Sequence, residues 1–573
     1  MYPIPPTETL VETKTCKHCG VSFPITDKDL EFYEKVSPVF NGQKYQIPTP
    51  TLCPDCRQQR RLSFRNERKL YKRKCDATGR DIISIYSPDK PFKVYHQDFW
   101  WSDKWDAMEY GRDFDFTRGF FEQFGELWKG IPLPSLYQTG CEGSEYTNHS
   151  YYNKDCYLVT GANENINVYY SSELGNCTDC MDVYIAIKSQ FCYSNINIES
   201  CYNVYYSINT QQSRDSWFLY NCRGCENCFM CENLSNRSYC IRNKQFSKEE
   251  YELEMNIDMR KNYPKLSIEF LERKERTPHI NLIQVNSENC TGDEIYNSQN
   301  CKECYTVFNA KNTAYIWSDL NPIDAYDCYG TMECPLSMEG VSFMKGTRKA
   351  FGFMCVEGSD VYYSVLCYNS SHLFACIGLR NKSYCIFNKQ YTREEYEELV
   401  PKIIEHMRKT GEWGEFFPSS LSPFGYNETV AQEYYPLDRR DEKFFVSTSG
   451  KPIFNWSDYE APFPRVEKII PAAKLPEDIS KIPDDILNWA IECEVTGKPF
   501  RIIKQELEFY RKHNLPVPRR HPDQRHLDRM SLRNPRKLFE RKCDKCGVEM
   551  MTTYSNERKE IVYCEGCYNK EIL

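Results

Sequence analysis

CYNVYYSI at 201–208 and SWFLYNC at 216–222 are two short β-prone runs separated by the polar stretch NTQQSRD at 209–215. The same alternation passes through CYLVT (156–160), NVYYS (167–171) and DVYIAI (182–187), with a new run about every 10–15 residues and Asn, Ser, Gly and Asp filling the gaps. Strands this short with turn residues this frequent predict a sandwich, a barrel or a solenoid. A solenoid is favoured because Cys-Tyr recurs at 156, 192, 201, 304, 328 and 367 with no longer helical crossover between. Stacked coils would turn small thiols inward and set Asn and Tyr at the corners.

Working outward, the array is doubled. NRSYCIRNKQFSKEEYE (236–252) returns as NKSYCIFNKQYTREEYE (381–397), displaced by 145, with a half boundary near 275–285. Ser247-x-x-Glu250 and Thr392-x-x-Glu395 fit a capping box, so each array is expected to end in a helix that covers its open last strand. Cys222, Cys225, Cys228 and Cys231 suggest a metal or an iron–sulfur cluster, yet the counterparts are Cys367, Ser370, Leu373 and Cys376. Losing two of four favours core thiols, and a ferredoxin-type run needs another spacing.

The chain ends are also copies of each other. Cys16, Gly20, Phe23 and LEFY (30–33) recur as Cys493, Gly497, Phe500 and LEFY (507–510), displaced by 477; RNERKLYKRKCD (65–76) recurs as RNPRKLFERKCD (533–544), displaced by 468. Each copy has slots for two metal sites and keeps the opposite one. The first copy retains Cys16, Cys19, Cys53 and Cys56; its trailing slot holds Cys75, Thr78, His96 and Phe99. The second retains Cys543, Cys546, Cys564 and Cys567; its leading slot holds Cys493, Thr496, His521 and Gln524. Paired Cys-x-x-Cys knuckles suit two zinc ions, each closed by four thiolates and therefore structural, and the half-retained sets are expected to be metal-free. Cys53-Pro-Asp-Cys56 reads as a knuckle opening a helix, and Pro535 after Asn534 as the first residue of another.

CKHCGVSF, the LEFYEK run and LCPDCRQQRR resemble the zinc-ribbon and treble-clef type of small bacterial zinc module. The whole architecture resembles cysteine-rich proteins of small-genome candidate-phylum bacteria, some of which carry a CaiB/BaiF (CoA-transferase) label. No constellation of residues here supports that chemistry, so the resemblance implies a zinc fold and no reaction.

The chain has 573 residues, 40% hydrophobic and 14% aromatic, which excludes a disordered protein. Its net charge of −8 hides a segregation: residues 57–74 hold nine Arg/Lys against one acid, residues 519–542 nine against three, leaving the rest at −22. Guanidinium groups on a rigid module can grip phosphates, so Arg57, Arg60, Arg61, Arg65, Arg68, Lys69, Arg529, Arg533, Arg536 and Lys537 are candidate RNA or DNA contacts. The alternative is that the strips dock on the chain's own acidic arrays, in a scaffold for protein or glycan partners. No nucleophile elbow, phosphate-binding glycine loop or helical histidine pair marks an enzyme. Thirty cysteines, no signal-like start and no long apolar run predict a soluble cytoplasmic protein without membrane contact. The expected units are a first zinc module (1–112), a connecting helix (113–135), two β arrays (136–280 and 281–410), a proline-rich connector (411–484) and a second zinc module (485–573).

Overall fold

The computed structural model describes residues 2–255, 259–330, 335–440 and 453–572. The chain is mainly β, with two parallel β-solenoids flanked by a four-cysteine module at either end. In the first solenoid the register advances by twelve: Thr160 pairs with Ser172, Ser172 with Tyr184, Tyr184 with Ile196 and Ile196 with Ile208. The corners explain so short a coil. Asn167, Tyr170, Glu173, Asn176, Asp179 and Asp182 are all left-handed, with φ between 51° and 60°, so the chain turns at every third residue and closes a four-sided coil.

Each side then offers one corner, one inward and one outward position. Inward residues of successive sides are Val168, Ser171, Leu174, Cys177, Cys180, Val183, Ala186 and Ser189, all buried. A square of three-residue sides has room for one small or medium-sized group per side, which selects Cys, Val, Ser and Ala with an occasional Leu. The thiols are satisfied by backbone: Cys177 Sγ reaches Gly175 O at 3.5 Å and Ala186 O at 3.4 Å. Left-handed corners cost about 1–2 kcal/mol for most residues, hence the Asn and Asp, and corner N–H groups reach the previous coil, as Tyr170 N does to Tyr157 O at 3.0 Å. Corner asparagines also bond to one another across coils, Asn197 to Asn209 at 3.1 Å and Asn221 to Asn233 at 2.7 Å. Ala186→Phe should therefore overpack a filled axis and cost at least about 1–3 kcal/mol, read as a lower urea midpoint. Lys188→Gln, at the next exposed corner, should stay within about 0.5 kcal/mol.

Both arrays end alike. Ser238–Ile241 folds back on Lys244–Gln245, and Ser383–Ile386 on Lys389–Gln390. Gln245 and Gln390 plug the open coils by donating to Ser238 O and Ser383 O. The capping boxes at Ser247 and Thr392 then start helices Lys248–Glu254 and Arg393–Thr410.

Each end module braces both solenoids. Its trailing half pairs with the strand leading into one: Val94 with Leu133 in the first module, His279 with Val562 in the second. Its leading half packs on the other. Phe32 stacks on Tyr326 at 3.8 Å, while His513 and Tyr205 hydrogen-bond at 2.9 Å.

Three local expectations change. The connecting helix expected within 113–135 is confined to Phe120–Gly130; Gln123 holds the preceding loop by donating to Asp115 O, and Glu412 accepts from the N–H groups of Phe120 and Phe121. No helix starts at Pro535; Asn534 instead donates to Thr553 Oγ1 at 3.0 Å. The expected connector is packed in its first part, with Trp413, Phe416 and Phe417 buried, and exposed over 460–465, while residues 441–452 lie outside the described residues.

Candidate metal centres and the basic strips

Four knuckles share one backbone. Gly20, Gly79, Gly497 and Gly547 take φ of 75°, 72°, 67° and 75°, and each donates its N–H to the carbonyl of the knuckle's first cysteine. That left-handed turn lets the two side chains of a Cys-x-x-Cys pair converge. Cys16, Cys19, Cys53 and Cys56 meet with their sulfurs all within 4.8 Å, as do Cys543, Cys546, Cys564 and Cys567, so each group can hold one metal ion. Cys53 is the N-cap of helix Pro54–Leu62, with Pro54 in its first turn. Hydrogen bonds from Cys53 and Cys56 hold the Cys16 thiol far below its ordinary value, and Cys53 is pushed up to about 12 in return. In the second group, burial is outweighed at Cys543 by backbone N–H groups, which bring it down to about 6, while Cys567, hydrogen-bonded to Cys546, is pushed up to about 12. Thiols that compete for protons in this way are the donor set a divalent cation replaces protons on. The leading knuckles are alike in cover, with Cys16 and Cys543 buried and Cys19 and Cys546 exposed; the trailing ones differ, Cys53 and Cys56 being buried and Cys564 and Cys567 half-buried.

The half-retained slots keep the knuckle with other chemistry. His96 and His521 each accept a backbone N–H through Nδ1, from Asp98 at 3.2 Å and Asp523 at 3.1 Å, and so cap helices Gln97–Trp100 and Pro522–Ser531. Cys75 Sγ accepts from His96 N at 3.3 Å. Cys222, Cys225, Cys228 and Cys231 occupy successive inward positions of one coil, and each sulfur reaches backbone carbonyls, as Cys222 does to Tyr220 O at 3.4 Å.

The arginines lie against the solenoids. Asp327 accepts from Arg57 Nε at 2.9 Å and Arg61 Nη2 at 3.1 Å, and Glu339 accepts from Arg61 Nη1 at 2.9 Å; Arg57 and Arg61 are 2% and 0% exposed. Arg60 reaches Glu415 at 2.9 Å, and Arg65 reaches Glu67 at 2.5 Å. The second module repeats the joint on the other solenoid. Asp182 accepts from Arg525 at 2.5 Å and from Arg529 Nη1 at 2.7 Å. These are the same positions: Arg57 and Arg61 stand 468 before Arg525 and Arg529, and Asp182 stands 145 before Asp327. The aromatic seats match too, Arg57 over Tyr315 at 5.1 Å against Arg525 over Tyr170 at 4.5 Å, and Arg65 over Tyr329 at 4.6 Å against Arg533 over Tyr184 at 4.4 Å. Arg68 and Lys69 share Asp523 at 3.4 and 2.7 Å. Arg536 lies between Trp317 and Tyr434 and is largely buried, and Lys537 is exposed.

Asp182 and Asp327 did not stand out in the sequence as site residues. The available signal was their coincidence at the 145-residue displacement, in Met181-Asp182-Val183-Tyr184 and Tyr326-Asp327-Cys328-Tyr329, on left-handed corners that aspartate tolerates. No helix among the described residues is long and apolar enough to cross a membrane. No known family model matches the chain, and a comparison with curated proteins finds no match either.

Proposed function

We propose that the chain is a non-catalytic scaffold in which two zinc-stabilised modules cross-brace a pair of β-solenoids, and that the basic strips are the joints of that brace. The duplicated joint carries this reading: two arginines on one carboxylate, Arg57 and Arg61 on Asp327 and Arg525 and Arg529 on Asp182, occur at equivalent positions of both copies. A nucleic-acid contact would give no reason for the matching aspartates. Zinc suits the two centres because a d¹⁰ ion accepts four thiolates tetrahedrally and leaves no open position for substrate, so the ions would serve structure. The thiol content suits a reducing, cytoplasmic setting. The solenoid sides left uncovered by the modules, with exposed Glu142, Lys154, Tyr202 and Arg214, are the surfaces for a protein or glycan partner.

Charge reversal at Arg57, Arg61, Arg525 and Arg529 separates this reading from RNA or DNA binding. As joints, they lower the thermal midpoint of the full chain and change no affinity for single-stranded RNA or DNA. Tight binding whose affinity falls steeply with salt, and which these substitutions abolish in a protein that still unfolds at the wild-type midpoint, would reject the joint reading.

A further inference from the structure

The two strips meet again behind the joints, around a central cleft of about 1010 Å³ to which both modules contribute. The copies differ there. In one, Arg68 and Lys69 are neutralised by Asp523. The corresponding residues of the other copy are Arg536, Lys537 and Asp55, but Asp55 accepts the Tyr2 hydroxyl at 3.0 Å instead. Among the described residues no carboxylate lies within ion-pair distance of Arg533, Arg536 or Lys537, although all three line the cleft. Arg536 is 8% exposed; one nitrogen donates to Ser318 Oγ, while Nε and Nη1 have no hydrogen-bond partner among the described residues. Among the described residues the hydrogen bonds of Arg533 go to the hydroxyls of Tyr184 and Tyr434, at 2.8 and 3.0 Å, and to the Met530 sulfur.

A desolvated guanidinium without a counter-ion is costly and calls for an anion. The other acids that line the cleft are engaged elsewhere, Asp523 by Arg68 and Lys69, Glu67 by Arg65, Glu428 by Lys90 and Glu433 by His526, while burial pushes Glu303 up to about 8 and, beside the arginines, Glu173 up to about 7.

We propose that the Arg533–Lys537 wall of the central cleft binds the phosphate of a small phosphorylated molecule. Three uncompensated cations within five residues match a multiply charged oxyanion better than a monocarboxylate, which would leave two of them unpaired. The cleft is large enough for a ligand of nucleotide size. The assignment is independent of the scaffold reading, because the joints at Asp182 and Asp327 stand without it.

Titration calorimetry on the metal-loaded full chain at low salt, with inorganic phosphate, ADP and adenosine, tests it. Phosphate-bearing probes should bind and adenosine should not; tighter binding of ADP assigns the site to an organic ester, and equal affinity to free phosphate. Lys537→Gln, at an exposed position that should not disturb folding, and Arg536→Gln should each weaken binding about tenfold. Lys69→Gln, in the neutralised copy, should leave it unchanged. No binding by either phosphate probe, equal binding of adenosine, or binding indifferent to Lys537→Gln would overturn the proposal.

Discussion

Asp182→Ala should destabilise the chain by about 3–5 kcal/mol, the range for removing one partner of a buried ion pair, and by more than Asp327→Ala. Both aspartates are buried and each takes two guanidinium groups, so the substitution strands two desolvated cations. The difference lies in what remains. Without Asp327, Arg57 and Arg61 still have Glu339, at 3.6 and 2.9 Å. Without Asp182, Arg525 keeps Glu506 at 3.3 Å, but Arg529 is left with only the Tyr170 carbonyl at 3.1 Å. Burial already draws Arg529 below its usual value, with Asp182 opposing. Urea unfolding of both variants, each beside its asparagine counterpart, checks the ranking. Losses near those of surface substitutions, within about 0.5 kcal/mol, would mean that the joints carry no load.

The second large effect concerns the metal centres. A structural four-thiolate zinc site contributes on the order of 10–16 kcal/mol of apparent binding energy, so stripping either ion should loosen its module. A chelator should empty the C-terminal centre first, because Cys564 and Cys567 are half-buried where Cys53 and Cys56 are buried. The N-terminal centre is covered by Phe23, Ile25, Leu52 and Tyr2. Consequences should run the other way. Cys53 caps the helix that carries Arg57 and Arg61, so losing the N-terminal ion weakens the joint on the second solenoid. The Cys564–Cys567 knuckle opens helix Glu565–Ile572, which carries no joint arginine, and Cys567→Ser should therefore lower the thermal midpoint less than Cys56→Ser. Metal analysis along a chelator titration gives the order; simultaneous release, or release from the N-terminal centre first, would contradict it.

Much of this fold was legible because its constraints are local. Metal knuckles need cysteines at fixed short spacing, and capping boxes announce the terminal helices. The solenoid itself showed through Cys-Tyr recurrence, but its coil length did not. The overlooked rule is strict: Cys156, Cys177, Cys180, Cys192 and Cys201 all stand at multiples of three, the inward position of a three-residue side. Tyrosines and isoleucines at left-handed corners, such as Tyr170 and Ile185, obscured it, because backbone bonding between coils overrides their preference. The cross-bracing was beyond reach for another reason. Which solenoid receives Arg57 depends on Asp327, 270 residues away, and a lone aspartate in a polar β run looks like any other turn residue.

The most direct measurement is a crystal structure of the full chain with anomalous scattering recorded across the zinc edge. Two zinc peaks should appear, one on Cys16, Cys19, Cys53 and Cys56 and one on Cys543, Cys546, Cys564 and Cys567, with Arg57 and Arg61 on Asp327 and Arg525 and Arg529 on Asp182. Thiol groups too far apart to share an ion, or these four arginines facing solvent, would contradict a brace pinned by metal and closed by buried charge.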